Sequence, residues 1–67
     1  MKISARNVID GTVKDIKKGV TTSHVVIDAN GTILTASITN ESVDELGLKV
    51  GGKAKAIIKS SDVMVAV

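Results

Sequence analysis

A chain of 67 residues without cysteine cannot be stapled by disulfides or bind a metal through thiolates, and its single histidine, His24, excludes a histidine-rich zinc site. Nine Lys and Arg against seven Asp and Glu give a net charge of +2, too mild to mark a nucleic-acid binder. A domain this small hides only about 60% of its unfolded surface, yet 43% of its residues are hydrophobic, so burial against a partner chain is the expected source of stability.

Met1-Lys2-Ile3-Ser4 has no apolar leader core, and no run approaches the ~18 apolar residues of a membrane span. The expectation is a single domain over residues 1–67, cytoplasmic, with no membrane partner. Val8 to Ile16 (V-I-D-G-T-V-K-D-I) reads as a first strand, and Gly11 within it suggests a bulge or tight bend. Lys17-Lys18-Gly19 marks a turn. Val20 to Ala29 is a β-branched run, and Asn30-Gly31 after it is the strongest short hairpin signal. Thr32 to Thr39 (T-I-L-T-A-S-I-T) reads as the third strand.

The pattern then changes. Asn40 to Gly47 (N-E-S-V-D-E-L-G) predicts a helix of roughly two turns. Asn40 is a candidate cap, Ser42 to Glu45 a capping box, and Gly47 the residue beyond the C-terminus. Lys49 to Gly52 is a turn. Lys53 to Lys59 alternates, with Ala54, Ala56 and Ile58 on one face. Ser60-Ser61-Asp62 interrupts, and Val63 to Val67 (V-M-V-A-V) predicts a last strand. The order β-β-β-α-β-β is that of the OB-fold, an all-β five-stranded Greek-key barrel with one short helix. An SH3-like barrel is the alternative.

No catalytic constellation is present, so no enzyme is expected. His24 lies inside a predicted strand with no carboxylate assigned to orient it, and the carboxylates show no metal-binding spacing. OB-folds that bind single strands stack bases on aromatic side chains. With no Phe, Tyr or Trp, nucleic acid is not an expected partner. What the chain does offer is small donors at strand ends. Ser4-Ala5-Arg6-Asn7 and Lys59-Ser60-Ser61-Asp62 join hydroxyl or amide donors to a cation, and Thr39-Asn40-Glu41-Ser42 adds the backbone N–H groups of a helix start.

Ser4-Ala5-Arg6-Asn7 matches the S-A-R-N motif of the molbindins, and Lys59-Ser60-Ser61-Asp62-Val63 resembles their C-terminal motif. Glu41-Ser42-Val43 to Leu46-Gly47-Leu48 resembles their helix, so the resemblance runs end to end. It implies intracellular binding and storage of molybdate or tungstate, with no organic cofactor and no cationic metal, in a homohexamer built as a trimer of dimers. It places Ser4, Ala5 and Arg6 on the oxyanion and adds Thr39, Ser42, Lys59 and Ser60 from the matching positions. Asn7 is implied to serve the motif's geometry. A second class of site is implied at the loop Gly19-Val20-Thr21-Thr22. A tetrahedral dianion only accepts hydrogen bonds, so its site needs donors alone, and that ligand set contains no carboxylate. Asp62 and Glu41 are expected to face away. The two terminal motifs could meet within one chain or between chains, and the resemblance favours a site shared between chains. The rival reading is an OB-like interaction module whose apolar surface serves assembly and whose cations are incidental.

Overall fold

The computed structural model describes residues 1–67. Its elements are β1 (Asn7–Lys18), β2 (Thr22–Ala29), β3 (Thr32–Thr39), α1 (Asn40–Glu45) and β4 (Lys53–Ile58), followed by a 3-10 turn at Ser60–Asp62. The four strands form one antiparallel sheet in the order β3-β2-β1-β4. The fourth strand returns beside the first, which is the Greek key. The expected fifth strand is absent, which corrects the strand count. Val63–Val67 is unpaired and exposed. β-Branched composition favours a strand only where a neighbour is there to pair with it. Here Asp62 and Val63 donate to the carbonyls of Lys59 and Ser60 in the 3-10 turn, and the chain then runs off the sheet.

β1 pairs with β4 through its first half, Asn7↔Ile58 to Thr12↔Lys53, and with β2 through its second, Thr12↔Asp28 to Lys18↔Ser23. Gly11 lies where one partner gives way to the other. A Cβ there would stand 2.6 Å from Ile27 Cγ2 and 2.8 Å from the Asp28 carbonyl oxygen. The expected bulge lies three residues on, at Lys14, where the register slips between Val13↔Ile27 and Asp15↔Val26. Strand residues alternate faces with period two, so Val13 and Ile16 would otherwise point opposite ways; the extra residue turns both toward the core. Gly11→Ala is expected to cost about 1–3 kcal/mol by overpacking, lowering the thermal midpoint by roughly 5–20 °C. A scanning-calorimetry midpoint equal to wild type would refute this close approach.

β2 and β3 form the two-residue hairpin that Asn-Gly predicts. Ala29 pairs with Thr32, and Asn30 and Gly31 both take positive φ, 54° and 93°. The helix start differs from expectation in its cap. Thr39, in extended backbone, caps α1 by accepting from the Ser42 N–H. The end of α1 follows the sequence. Gly47 has φ 63°, its N–H donates to Asp44, and the Leu48 N–H donates to Val43, a Schellman motif with Leu48 and Val43 in the same apolar cluster.

The core is small. Val13, Val25, Ile27 and Val43 form its centre, with Ile16, Ile38, Leu48, Ala54 and Ala56 packed around them. Between the free edges of β3 and β4 the concave face opens as a trough of about 1240 Å³, lined by Val25, Ile27, Ala36, Ile38, Ala54 and Ile58 among others. On β1 and β4, Asp10 is paired with Lys55 in register and takes a hydrogen bond from its ammonium. That bond and the charge hold the Asp10 carboxyl below its ordinary value. A depressed folded pKa gives stability present above the unfolded value and lost as pH falls through the folded one. Asp10→Asn should therefore flatten the stability profile on the acid side of the ordinary carboxylate range and leave the alkaline side unchanged, read by denaturant titration across pH.

Candidate functional site

The two terminal motifs meet within one chain. A groove of about 640 Å³ is lined by Ile3, Ser4, Ala5, Ile57, Lys59, Ser60, Ser61 and Asp62. Strand pairing brings them together. Asn7 opens β1 opposite Ile58, the last residue of β4, and its Nδ2 donates to the Ile58 carbonyl at 3.1 Å. Ser4-Ala5-Arg6 is thereby tied beside Lys59-Ser60, and Asn7 serves geometry as the resemblance implies. Four of the seven expected residues, Ser4, Ala5, Lys59 and Ser60, share this groove. Arg6 is exposed and does not line it.

Asp62 does line the groove, contrary to the expectation that it faces away. Ser60–Asp62 winds into a 3-10 turn in place of a loose loop, and this turn brings the residue round. A carboxylate is an acceptor that favours a protonated phosphate over a bare dianion, so rejection of phosphate cannot rest on an acceptor-free lining.

Thr39 and Ser42 form a separate cluster. Their hydroxyls share a hydrogen bond of 2.8 Å, and Thr39 Oγ1 also accepts from the Ser42 N–H at 3.1 Å. Thr39 is exposed at the end of β3, Ser42 half-buried, and neither lines the groove. Because Thr39 is the cap, the Ser42 hydroxyl is not spent on capping. The expected ligand set is therefore split between the two edge strands, one part following β4 and the other ending β3.

The loop between β1 and β2 is fastened to the start of α1 by a residue the sequence pattern marks only as a cap. Asn40 Nδ2 donates to the carbonyls of Gly19 and Val20, and its backbone N–H donates to Thr21. The fully buried Ser23 hydroxyl donates to Asn40 Oδ1. The Gly19 N–H turns inward to the Thr22 carbonyl, so the loop's carbonyls are occupied while the Val20 side chain is 98% exposed. A polar residue with both donor and acceptor at a helix start is the only sequence signal for this clamp. His24 is exposed on the convex face, between Lys17 and Ser37. No group of three or more His, Cys, Asp or Glu stands close enough to hold a metal cation.

A Greek-key β-domain with a helix between its third and fourth strands, carrying a hydroxyl- and lysine-lined groove, belongs to the OB-type binding domains. Residues 3–65 match the TOBE domain, and the chain belongs to that family, in its molbindin (Mop) branch. Molybdenum-pterin-binding protein 1 of Clostridium pasteurianum is 50% identical over 66 residues, covering 97% of each chain. A molybdate-binding protein from Sporomusa ovata superposes with a TM-score of 0.95 at 43% identity, covering both chains fully. The cytoplasmic molybdate-binding protein ModG, solved with molybdate bound, gives 0.91 at 45% identity over 96% of this chain and 46% of its own. These relatives are binding proteins. No helix here is long and apolar enough to cross a membrane.

Proposed function

We propose that this chain binds molybdate or tungstate as an intact tetrahedral dianion and stores it in the cytoplasm, performing no chemistry on it. The observation that carries the reading is the convergence of Ser4, Ala5, Lys59 and Ser60 on one groove. Two hydroxyls, backbone N–H groups and an ammonium are the donors a dianion requires. Arg6, flanking the groove, adds a guanidinium, and Thr39 and Ser42 of another copy complete the shell. Val20, Thr21 and Thr22 form the second site. The names of the relatives support the choice of oxyanion.

The site works in a homohexamer, a trimer of dimers. Only six residues are buried in the single chain, while Ile3, Val8, Ile9, Ile33, Leu46 and Val50 are among thirteen large apolar side chains left exposed. So few buried residues leave a small chain dependent on burial against a second copy. The same exposure favours the rival reading of a pure interaction module, and ligand retention decides between them. Equilibrium dialysis against molybdate with elemental analysis is expected to show several oxyanions per hexamer, and saturating molybdate should raise the thermal midpoint. At a hundredfold excess over Kd the stabilisation is about 2.7 kcal/mol per site. A folded protein that retains no molybdenum and melts unchanged would leave only the interaction module.

A further inference from the structure

Asp62 is the one residue of the groove whose chemistry runs against a dianion. Two charged side chains line the groove, the Lys59 ammonium and the Asp62 carboxylate, beside the hydroxyls of Ser4, Ser60 and Ser61. The two charges cancel, so the groove of one chain offers a dianion donors but no net charge. The carboxylate is not engaged elsewhere. The ion pairs of the protein are Lys18–Asp44 and Lys55–Asp10, and Asp62 belongs to neither. The 3-10 turn that carries it is closed by backbone bonds, Asp62 N–H to Lys59 and Val63 N–H to Ser60, with no side-chain cap. The side chain is therefore dispensable to the turn and faces whatever enters the groove.

We propose that Asp62 is a specificity-determining residue of this groove: it holds down the affinity for every bare dianion and favours an oxyanion that carries its own proton. The inference rests on the functional reading above and deepens it. Molybdate, tungstate and sulfate present only acceptor oxygens at neutral pH, so none can donate to the carboxylate, and its charge opposes each of them. Hydrogen phosphate has an O–H that donates to the carboxylate in a charge-assisted hydrogen bond, which offsets the repulsion. The like charge also acts on release. Opposition inside a closed site shortens the residence of the ion, and changes at such a site fall mainly on the dissociation rate. A store must give up its ion, and a groove lined by donors and cations alone would hold it longest.

The test is titration calorimetry of the assembled protein with molybdate, sulfate and phosphate at one pH and one ionic strength. Asp62→Asn keeps the size of the side chain and removes its charge. It is expected to bind molybdate and sulfate roughly 10- to 100-fold more tightly, mostly through slower release. Phosphate should gain less than about threefold, so the preference for molybdate over phosphate rises. Asp62→Ser should repeat the gain, and Asp62→Glu, which keeps the charge, should not. Asp15→Asn removes the same unit of charge from an exposed position of β1 outside the groove and should leave all three affinities unchanged. Molybdate affinity that is unchanged or lower in both uncharged variants would overturn the proposal. So would an equal gain for all three ions, or the same gain in Asp15→Asn, which would make the effect one of net charge. Wild-type protein that binds molybdate beside unaltered Asp62 variants refutes this role alone; wild-type protein that binds none of the three ions refutes the oxyanion reading with it.

Discussion

Lys59→Ala is expected to weaken molybdate binding by about 2–4 kcal/mol, a factor of roughly 30 to 1000. That magnitude decides between an open and a closed site. In the single chain Lys59 is exposed. An exposed cation on a solvated anion contributes only about 0–1 kcal/mol and is screened by salt. The larger loss belongs to a groove covered by a second copy, where removing the ammonium leaves the dianion buried and under-neutralised. Arg6→Ala should show the same order of loss if the guanidinium turns to the oxyanion on assembly. Titration calorimetry at low and high ionic strength reads both effects. A loss near a factor of three that vanishes in salt would describe an open surface groove, and unchanged affinity would remove Lys59 from the site.

The fold was legible where one residue type dictates backbone geometry. Asn30-Gly31 and Gly47 adopt positive φ where the hairpin and the helix end require it. The capping residue was less legible, because Thr39 and Asn40 are adjacent and both suit the position; the structure gives the cap to Thr39 and uses Asn40 elsewhere. The Lys14 bulge leaves no residue signature, yet Val13 and Ile16, three apart and both core-facing, required an odd residue between them. The fifth strand is not formed, for a physical reason: alternation and β-branching report that a segment suits a pleated surface and not that a neighbour stands ready to pair with it.

Much of the candidate site was legible for a simple reason. Ser4, Ala5, Lys59 and Ser60 flank the paired ends of β1 and β4, so two motifs more than fifty residues apart are neighbours through the Asn7↔Ile58 pair. Side-chain direction was not legible. The 3-10 turn brings Asp62 onto the groove, and nothing in K-S-S-D-V announces that turn. Thr39 and Ser42 lie on the other edge strand, a separation visible only once the sheet order is known. That separation motivates a site divided between copies.

Asn40→Ala is expected to destabilise the protein by about 2–4 kcal/mol, the second large effect. The substitution removes three side-chain hydrogen bonds at once: one accepted from Ser23 and two donated to Gly19 and Val20. The two amide donations are partly solvated, and each is worth about 0.5–1.5 kcal/mol net. The Ser23 bond weighs more. That hydroxyl has no exposure, and losing its acceptor strands a polar group in the interior at about 1–3 kcal/mol. For a chain of this size the loss corresponds to a midpoint lower by roughly 10–30 °C, at a protein concentration held fixed. A cycle with Ser23→Ala isolates the stranded hydroxyl. Ser23→Ala/Asn40→Ala has no orphaned donor, so it should be less destabilised than the sum of the two single variants. The clamp also sets the loop Gly19–Thr22, so any oxyanion bound there should be lost in Asn40→Ala, while the Ser4–Lys59 groove keeps its own. Additivity in the cycle, or a single-variant cost within about 0.5 kcal/mol of zero, would show that water replaces Asn40 and that the clamp does not hold the loop.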